Sequence, residues 1–199
     1  MKYEFTDEVK IEDGVTLRRI RAVRDFDTVK VGDLGGWLEK ELNLSQEGGS
    51  WVGDEAIVYG KAQVCGNAWV CNNAKVSGYA VVTGYTHVFD NAMVTDNAMV
   101  FDNAMVAGNA RVFDNANVGG KAEIYGNAMV KSPSDYAVFK NFWSSFRWMT
   151  YTRSNKMWKV GCFYGTGEAL VEKAYSDNSV KGRCYEAIVN AVKAIEEAL

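Results

Sequence analysis

The stretch AMVTDNAMVFDNAMVAGNARVFDNANV, residues 92–118, decides the fold because one pattern returns in it every six residues. Each unit begins with alanine, has valine at its third position in every case, and ends in a polar pair such as Asp-Asn or Gly-Asn. A period of six fits neither the 3.6-residue period of a helix nor the two-residue period of an open sheet. The repeat therefore indicates a coil built from short, equal edges.

The pattern continues in both directions from this stretch. An aliphatic residue occupies every sixth position from Val52 to Val130, fourteen positions in register. The position two residues earlier holds alanine twelve times, with Ser50 and Thr86 as the two exceptions. Valine suits a short strand, alanine suits a crowded inward bend, and Asn and Gly tolerate the positive φ of a sharp corner. Three such edges would close a triangular coil of about 18 residues, and stacked coils would lie about 4.8 Å apart.

These repeats resemble the hexapeptide-repeat proteins, whose fold is the left-handed parallel β-helix. The leader GDLGGW, residues 32–37, and the following ELNLSQEG, residues 41–48, resemble a bacterial and phage group within that family whose members are usually labelled putative transferases. The resemblance implies a mainly β protein with about four to five triangular coils, which assembles as a parallel homotrimer.

The non-repetitive ends predict two caps. Residues 1–48 are predicted to form an N-terminal β cap, residues 49–131 the β-helix, and residues 132–199 a small α+β module. In the last segment, RSNK (153–156) predicts a hairpin turn, EALVEKAY (168–175) a short helix, and the stretch from Ser179 a longer one. One face of the longer helix is apolar and carries Tyr185, Ile188, Val189, Val192, Ile195 and Leu199.

Composition restricts the function classes. The net charge of −3 offers no general attraction for long nucleic acids or an anionic membrane. Four cysteines without C-x-x-C spacing and a single histidine argue against a metal centre, and no cofactor is expected. No apolar stretch is long enough to span a membrane, and Met1–Lys10 does not resemble a signal peptide. The expectation is a cytoplasmic protein with reduced cysteines.

His87 is the candidate catalytic residue if the protein is an enzyme. Hexapeptide-repeat proteins are often acyltransferases that use a histidine as general base between neighbouring subunits, and this resemblance can be carried over only to His87. At 18 residues per coil, His87 would point outward, and Asp90 or Glu123 is the carboxylate expected to orient it. Against this role, no loop interrupts residues 52–130 to shape a pocket. The alternative is an ordinary exposed histidine beside a threonine that replaces alanine at little cost to the fold.

A second candidate site lies in the C-terminal module. Residues 131–160 carry six basic side chains against one acidic, and ten aromatic residues fall within 136–164. Aromatic and basic side chains together can stack on a base and neutralise phosphate. The alternative is that the aromatic residues form the core of the module and the basic ones its solvated surface. The predicted ligand-binding residues are Arg147, Trp148, Arg153, Lys156, Trp158, Lys159, Tyr164 and Thr166, with Arg19 and Arg21 from the N-terminal strand.

Three functions follow from these features. The first is a non-catalytic trimeric binding protein, of the kind a phage encodes, that holds a small anionic, nucleotide-type ligand and sequesters a host signal. The second is a structural or assembly scaffold. The third is a hexapeptide-repeat acyltransferase with His87 as general base. The sequence ranks binding first and the enzyme third.

Overall fold

A computed structural model describes all of residues 1–199. The N-terminal segment forms strands β1 (Tyr3–Glu12), β2 (Val15–Ala22) and β3 (Leu34–Leu38), followed by a short 3-10 helix at Glu41–Asn43. β1 pairs with β2, and β2 with β3, in antiparallel fashion. β3 then aligns in parallel with the first turn of the repeat, so the N-terminal sheet continues directly into the coils.

The repeat forms fourteen two-residue strands that close into triangular coils. Each strand pairs in parallel with the strand one coil away, 18 residues along the chain, as when His87 lies opposite Met105. The result is four complete coils and two sides of a fifth, which confirms the mainly β, parallel β-helix prediction. The first face contains β4 (Trp51–Val52), β7 (Trp69–Val70), β10 (His87–Val88), β13 (Met105–Val106) and β16 (Glu123–Ile124); the second contains β5 (Ile57–Val58), β8 (Lys75–Val76), β11 (Met93–Val94), β14 (Arg111–Val112) and β17 (Met129–Val130); the third contains β6 (Gln63–Val64), β9 (Val81–Val82), β12 (Met99–Val100) and β15 (Asn117–Val118).

Two inward columns and one corner column explain why the sequence repeats. The aliphatic column from Val52 to Val130 is 0% exposed throughout, and the small-residue column is buried beside it. At the corners, the positive φ falls on the first residue of each polar pair, so Asp rather than Asn adopts it in the Asp-Asn pairs. Asp90, for example, has a φ of +59°, and its Oδ2 accepts the backbone N–H of Gly108 one coil away at 3.0 Å. The carboxylate thus joins neighbouring corners, and the Asn that follows it also reaches the next coil, where Asn91 Nδ2 donates to Asn109 Oδ1 at 3.2 Å.

The two exceptions in the small-residue column differ in their surroundings. Ser50 lies at the open end of the first coil, where Lys2 Nζ donates to its carbonyl oxygen at 2.6 Å and to its Oγ at 2.9 Å. Thr86 lies in the middle of the coils, is 0% exposed, and its Oγ1 has no hydrogen-bond partner. This burial argues against the expectation that threonine replaces alanine there at little cost, because a buried hydroxyl without a partner is destabilising.

The GDLGGW leader is glycine-rich because backbone segments approach each other closely there. A Cβ at Gly35 would lie 2.6 Å from the side chain of Ile20, and one at Gly36 would lie 2.5 Å from the carbonyl oxygen of Ala56. Trp37 follows and donates from Nε1 to Glu55 Oε2 at 2.9 Å. The leader is thus the segment that presses the N-terminal sheet against the first coil.

The C-terminal segment forms a small sheet and two helices. A 3-10 turn at Pro133–Asp135 leads into an antiparallel sheet, and the sheet leads into the helices α1 (Gly167–Asp177) and α2 (Ser179–Ala198). The sheet consists of β18 (Tyr136–Lys140), β19 (Trp148–Thr152), β20 (Met157–Val160) and β21 (Phe163–Thr166), and the predicted RSNK turn joins β19 to β20. On α2, Tyr185, Val189 and Val192 are buried, whereas Ile195 and Leu199, which directly follows the helix, are 57% and 83% exposed, so the predicted apolar face packs only in its first part.

The C-terminal module covers the open edge of the last coil. The backbone N–H of Glu123 donates to Thr150 Oγ1 at 2.9 Å, and that of Met129 donates to Ser154 Oγ at 2.7 Å. These bonds pair backbone N–H groups of the last strands, which have no further coil to which they could donate. Neither helix of the module is long and apolar enough to cross a membrane.

Candidate functional site

His87 lies in the middle of the first face and points away from the core. Its strand neighbours are Trp69 in the coil before and Met105 in the coil after, as the 18-residue spacing predicts. The side chain is exposed, whereas the preceding Thr86 and the following Val88 are buried. The alternation of the strand therefore places the imidazole where a ligand can reach it.

A loop from the N-terminal segment forms a wall beside His87. We call residues 24–28 the cap loop, and between it and the first face lies a cleft of about 740 Å³. The sequence correctly indicates that nothing interrupts the coils, but the inference that no loop shapes a pocket here is wrong. The wall comes instead from a segment more than fifty residues earlier in the chain. The lining residues are Arg24, Phe26, Asp27, Thr28, Gly48, Gly49, Asn67, Trp69, Tyr85 and His87.

Local contacts hold the cap loop in place. Phe26 and Val29 exchange backbone hydrogen bonds of 3.1 and 2.9 Å, which close a tight turn. Asp27 within this turn has a φ of +46°. The ring of Phe26 packs edge-on against Trp51 at 5.4 Å between centroids, so the turn is anchored to the first coil. The cap loop is therefore a fixed wall of the cleft.

The charged groups of the cleft are unpaired within the chain. Arg24, Asp27 and His87 are exposed, and their side chains make no hydrogen bond or ion pair with other residues. Behind the loop, burial lowers the pKa of Lys2 to about 8, and the nearby Arg24 adds to this effect. The cleft thus offers an imidazole, a cation and a carboxylate to a ligand, with aromatic surface between them.

The carboxylates that the sequence suggested as partners of His87 are engaged elsewhere. Asp90 accepts the N–H of Gly108, as described above. Glu123 lies two coils away, where its Oε2 is 3.6 Å from Lys159 Nζ. The carboxylate that shares the cleft with His87 is Asp27, which sequence spacing could not indicate because the two residues are brought together only by the folding of the cap loop.

The predicted ligand-binding tryptophan of the C-terminal module belongs to a core. Trp158 is 2% exposed and packs against Tyr151 and Phe139, with ring centroids 5.1 and 5.8 Å away. Thr166 is the N-cap of α1, and its hydroxyl accepts the backbone N–H of Ala169. This bond occupies a backbone donor at the start of α1, which is then not free to bind an anion.

Several predicted basic residues of this module have partners inside the protein. Arg153 Nε donates to Glu196 at 2.7 Å. Lys159 forms the ion pair with Glu123 and lies over the ring of Tyr125 at 4.6 Å. Such pairing reduces the charge that these residues present to a ligand, so the structure does not favour them as an anion site.

The remaining predicted residues of the module lie nearer its surface. Tyr164 is 37% exposed, and its hydroxyl donates to the carbonyl oxygen of Tyr125 at 3.2 Å. Trp148 is 40% exposed and lies under the ammonium of Lys140. Arg147 and Lys156 are exposed as well.

The two basic residues of the N-terminal strand lie at the other end of the coils. Arg19 is within 3.5 Å of Glu8 and 3.4 Å of Glu55, and Arg21 is 2.5 Å from Glu4. Their strand, β2, is joined to the first coil through β3, whereas the C-terminal module adjoins the last coil. The structure of one chain therefore does not bring the two basic clusters together.

Comparison with known proteins adds a partial relationship. No protein-family model matches the chain. Over 72 residues the chain is 40% identical to a protein of Escherichia coli (strain K12) named Uncharacterized acetyltransferase YdcK, a match that covers 32% of this chain and 22% of that protein. The chain thus corresponds to less than a quarter of that relative's length. Together with the coils, the match supports a hexapeptide-repeat, transferase-like relationship.

Proposed function

We propose that the protein is an acyltransferase that moves an acyl group from a thioester to an amine or hydroxyl acceptor, with His87 as general base. The observation that carries the proposal is the position of the single histidine, exposed in a cleft of about 740 Å³ beside unpaired charged groups. The partial relative whose name includes acetyltransferase supports the same class of reaction.

The chemistry requires one proton acceptor at the site of attack. The imidazole of His87 takes the proton from the acceptor's N–H or O–H while the nitrogen or oxygen bonds to the thioester carbonyl carbon. The carbon–sulfur bond of the resulting tetrahedral intermediate then breaks. The leaving sulfur takes the proton back from the imidazolium, and the histidine is regenerated. Both the thioester donor and the acceptor are substrates, so the proposal needs no resident cofactor.

The other side chains of the cleft have roles in binding. Trp69, Tyr85 and Phe26 supply apolar surface against which the thioester can pack. Arg24 offers a charge-assisted hydrogen bond to an anionic group of a substrate. Asp27 is the carboxylate available in the cleft to bind a cationic acceptor or to orient the imidazole.

The reading of the chain as a non-catalytic nucleotide-binding protein, which the sequence ranked first, is not supported by the fold or by the partial relative. The homotrimer remains part of the proposal, since a neighbouring copy along the first face would enclose the exposed cleft. An origin in a phage and a cytoplasmic location are also kept as proposals. Sedimentation of the purified protein would test the trimer directly.

The experiment compares His87→Ala with a matched control, Gln63→Ala. Gln63 is also an exposed first residue of a coil strand, but it lies on the third face, away from the cleft. The assay follows loss of acetyl-coenzyme A by chromatography with a panel of small amines and alcohols as acceptors. Removing a general base should lower turnover by about 10²–10⁴-fold. Full activity of His87→Ala, or equal loss in both variants, would exclude the proposed role.

A further inference from the structure

A second cleft lies in the C-terminal module, remote from His87 in the sequence and bounded by different elements. It has a volume of about 440 Å³ and lies between the loop 141–147, the turn from β20 to β21, and the two helices. We call it the tail cleft. Its cationic side chains are Arg147, Lys173 and Lys181, and Ser144 and Ser145 add hydroxyl groups.

The positive charge of the tail cleft is not balanced within the chain. One carboxylate, Asp177, lines the cleft and lies 3.3 Å from Lys181 Nζ. The side chains of Arg147 and Lys173 make no ion pair or hydrogen bond. By contrast, Arg153 in the same module is paired with Glu196. Two uncompensated cations thus face one cavity in a protein whose net charge is −3.

The loop that carries the hydroxyl groups is organised by a buried residue. Asn141 is 0% exposed, and its backbone N–H donates to the carbonyl oxygen of Arg147 at 2.8 Å, which closes the loop. Its side-chain Nδ2 donates to Ser144 Oγ and to the hydroxyl of Tyr185, each at 2.8 Å. Because Ser144 Oγ accepts that bond, its own proton is available to a ligand in the cleft.

The guanidinium of Arg147 occupies space that a glycine leaves open. A Cβ at Gly161 would lie 2.7 Å from Arg147 Nη1. Gly161 is in the turn between β20 and β21 and has a φ of +55°, so both its backbone conformation and the neighbouring guanidinium favour glycine. The chain therefore accommodates the arginine at the rim of the tail cleft.

We propose that the tail cleft binds a small phosphate-bearing anion, either a phosphomonoester or a pyrophosphate group. Arginine, two lysines and serine hydroxyls supply more hydrogen-bond donors than a ligand with a single carboxylate group could use. They match the several oxygens of a phosphate group. The volume and the acidic net charge fit a small molecule better than a nucleic acid strand. Of the ligand-binding residues predicted from the sequence, Arg147 lines this cleft. Lys173, Lys181 and Ser144 line it as well and were not among those predicted. It does not depend on the proposed acyl transfer.

The test is calorimetric titration of the full chain with inorganic pyrophosphate and with ADP. Arg147→Gln/Lys173→Gln is the test variant, and Lys156→Gln is the control, since Lys156 is an exposed lysine of the same module outside the cleft. Each lost charge-assisted hydrogen bond should weaken binding by about tenfold or more. The control should bind as the unmodified protein does, and binding by both of these proteins should weaken with added salt.

Three outcomes would overturn the proposal: no binding of pyrophosphate or ADP by the unmodified protein, equal affinity in the double variant, and an equal loss in Lys156→Gln. The substituted cations make no bonds within the chain, so far-UV circular dichroism should show an unchanged fold. Repeating the titration with His87→Ala separates the two proposals, because anion binding should persist there whether or not acyl transfer is observed.

Discussion

Replacing Thr86 by valine should stabilise the protein. Thr86 is 0% exposed, and its Oγ1 is enclosed among the buried alanines and valines of neighbouring coils without a hydrogen-bond partner. Valine has nearly the same shape, so the substitution exchanges the hydroxyl for a methyl group without opening a cavity. The strand itself need not move, because the backbone N–H of Trp69 still donates to the carbonyl oxygen of residue 86.

The magnitude follows from the isolated hydroxyl. Leaving a buried polar group without a partner costs about 1–3 kcal/mol. For a chain of this size, each kcal/mol corresponds to a rise in Tm of about 2–4 °C. Thr86→Ala restores the residue found at twelve equivalent positions, but it also removes a buried methyl group, so a smaller gain is expected.

The assay is thermal and urea unfolding followed by far-UV circular dichroism. Thr95→Val is the control, because Thr95 is only half-buried and its hydroxyl already donates to Asp96 at 3.1 Å. Its stability should change by about 0.5 kcal/mol or less. A loss of stability in Thr86→Val would show that the buried hydroxyl has a stabilising partner and would refute the reasoning.

Two further predictions concern titratable groups. The pKa of Lys2 is about 8 in the folded protein against 10.5 for an ordinary lysine, so the unfolded chain binds more protons between these values. Stability should therefore rise with pH from about 8 to 10.5 relative to Lys2→Met, and parallel urea-unfolding profiles of the two proteins would contradict this. Burial, reinforced by two nearby carboxylates, raises the pKa of Cys71 to about 11, while Cys162 is the exposed cysteine. Iodoacetamide at pH 8 should label Cys162 first and Cys71 slowly, and a fast phase that survives in Cys162→Ser would be evidence against this order.

The coils were predictable because each rule that forms them is local. A strand of two residues and a corner repeat every six positions. The residue types at Val94 and Ala92 indicate buried positions, and Asp96 marks a corner. One local detail differs from the prediction: the corner residue with positive φ is the first of each pair, and where it is an aspartate such as Asp90 its side chain contacts the next coil. That contact joins residues 18 positions apart, beyond the reach of a rule about neighbouring residues.

The candidate sites were less predictable for the same reason. His87 and its outward direction follow from the repeat, but the wall that faces it is formed by Arg24 and Asp27, whose position depends on how the N-terminal sheet joins the first coil. In the C-terminal module, composition revealed basic and aromatic residues without showing which were buried. Trp158 entered the core, and Arg147 remained at a cleft.

The sequence by itself thus determined the β-helix, its number of coils and the exposed position of His87, since periodic burial needs only the order of residue types. The tertiary structure alone decided what stands opposite His87, which cations are neutralised and which are left free. These properties depend on contacts between segments far apart in the chain, such as Lys159 with Glu123 or the cap loop with Trp69. No local pattern encodes them, because they arise only when the two end modules pack against the coils.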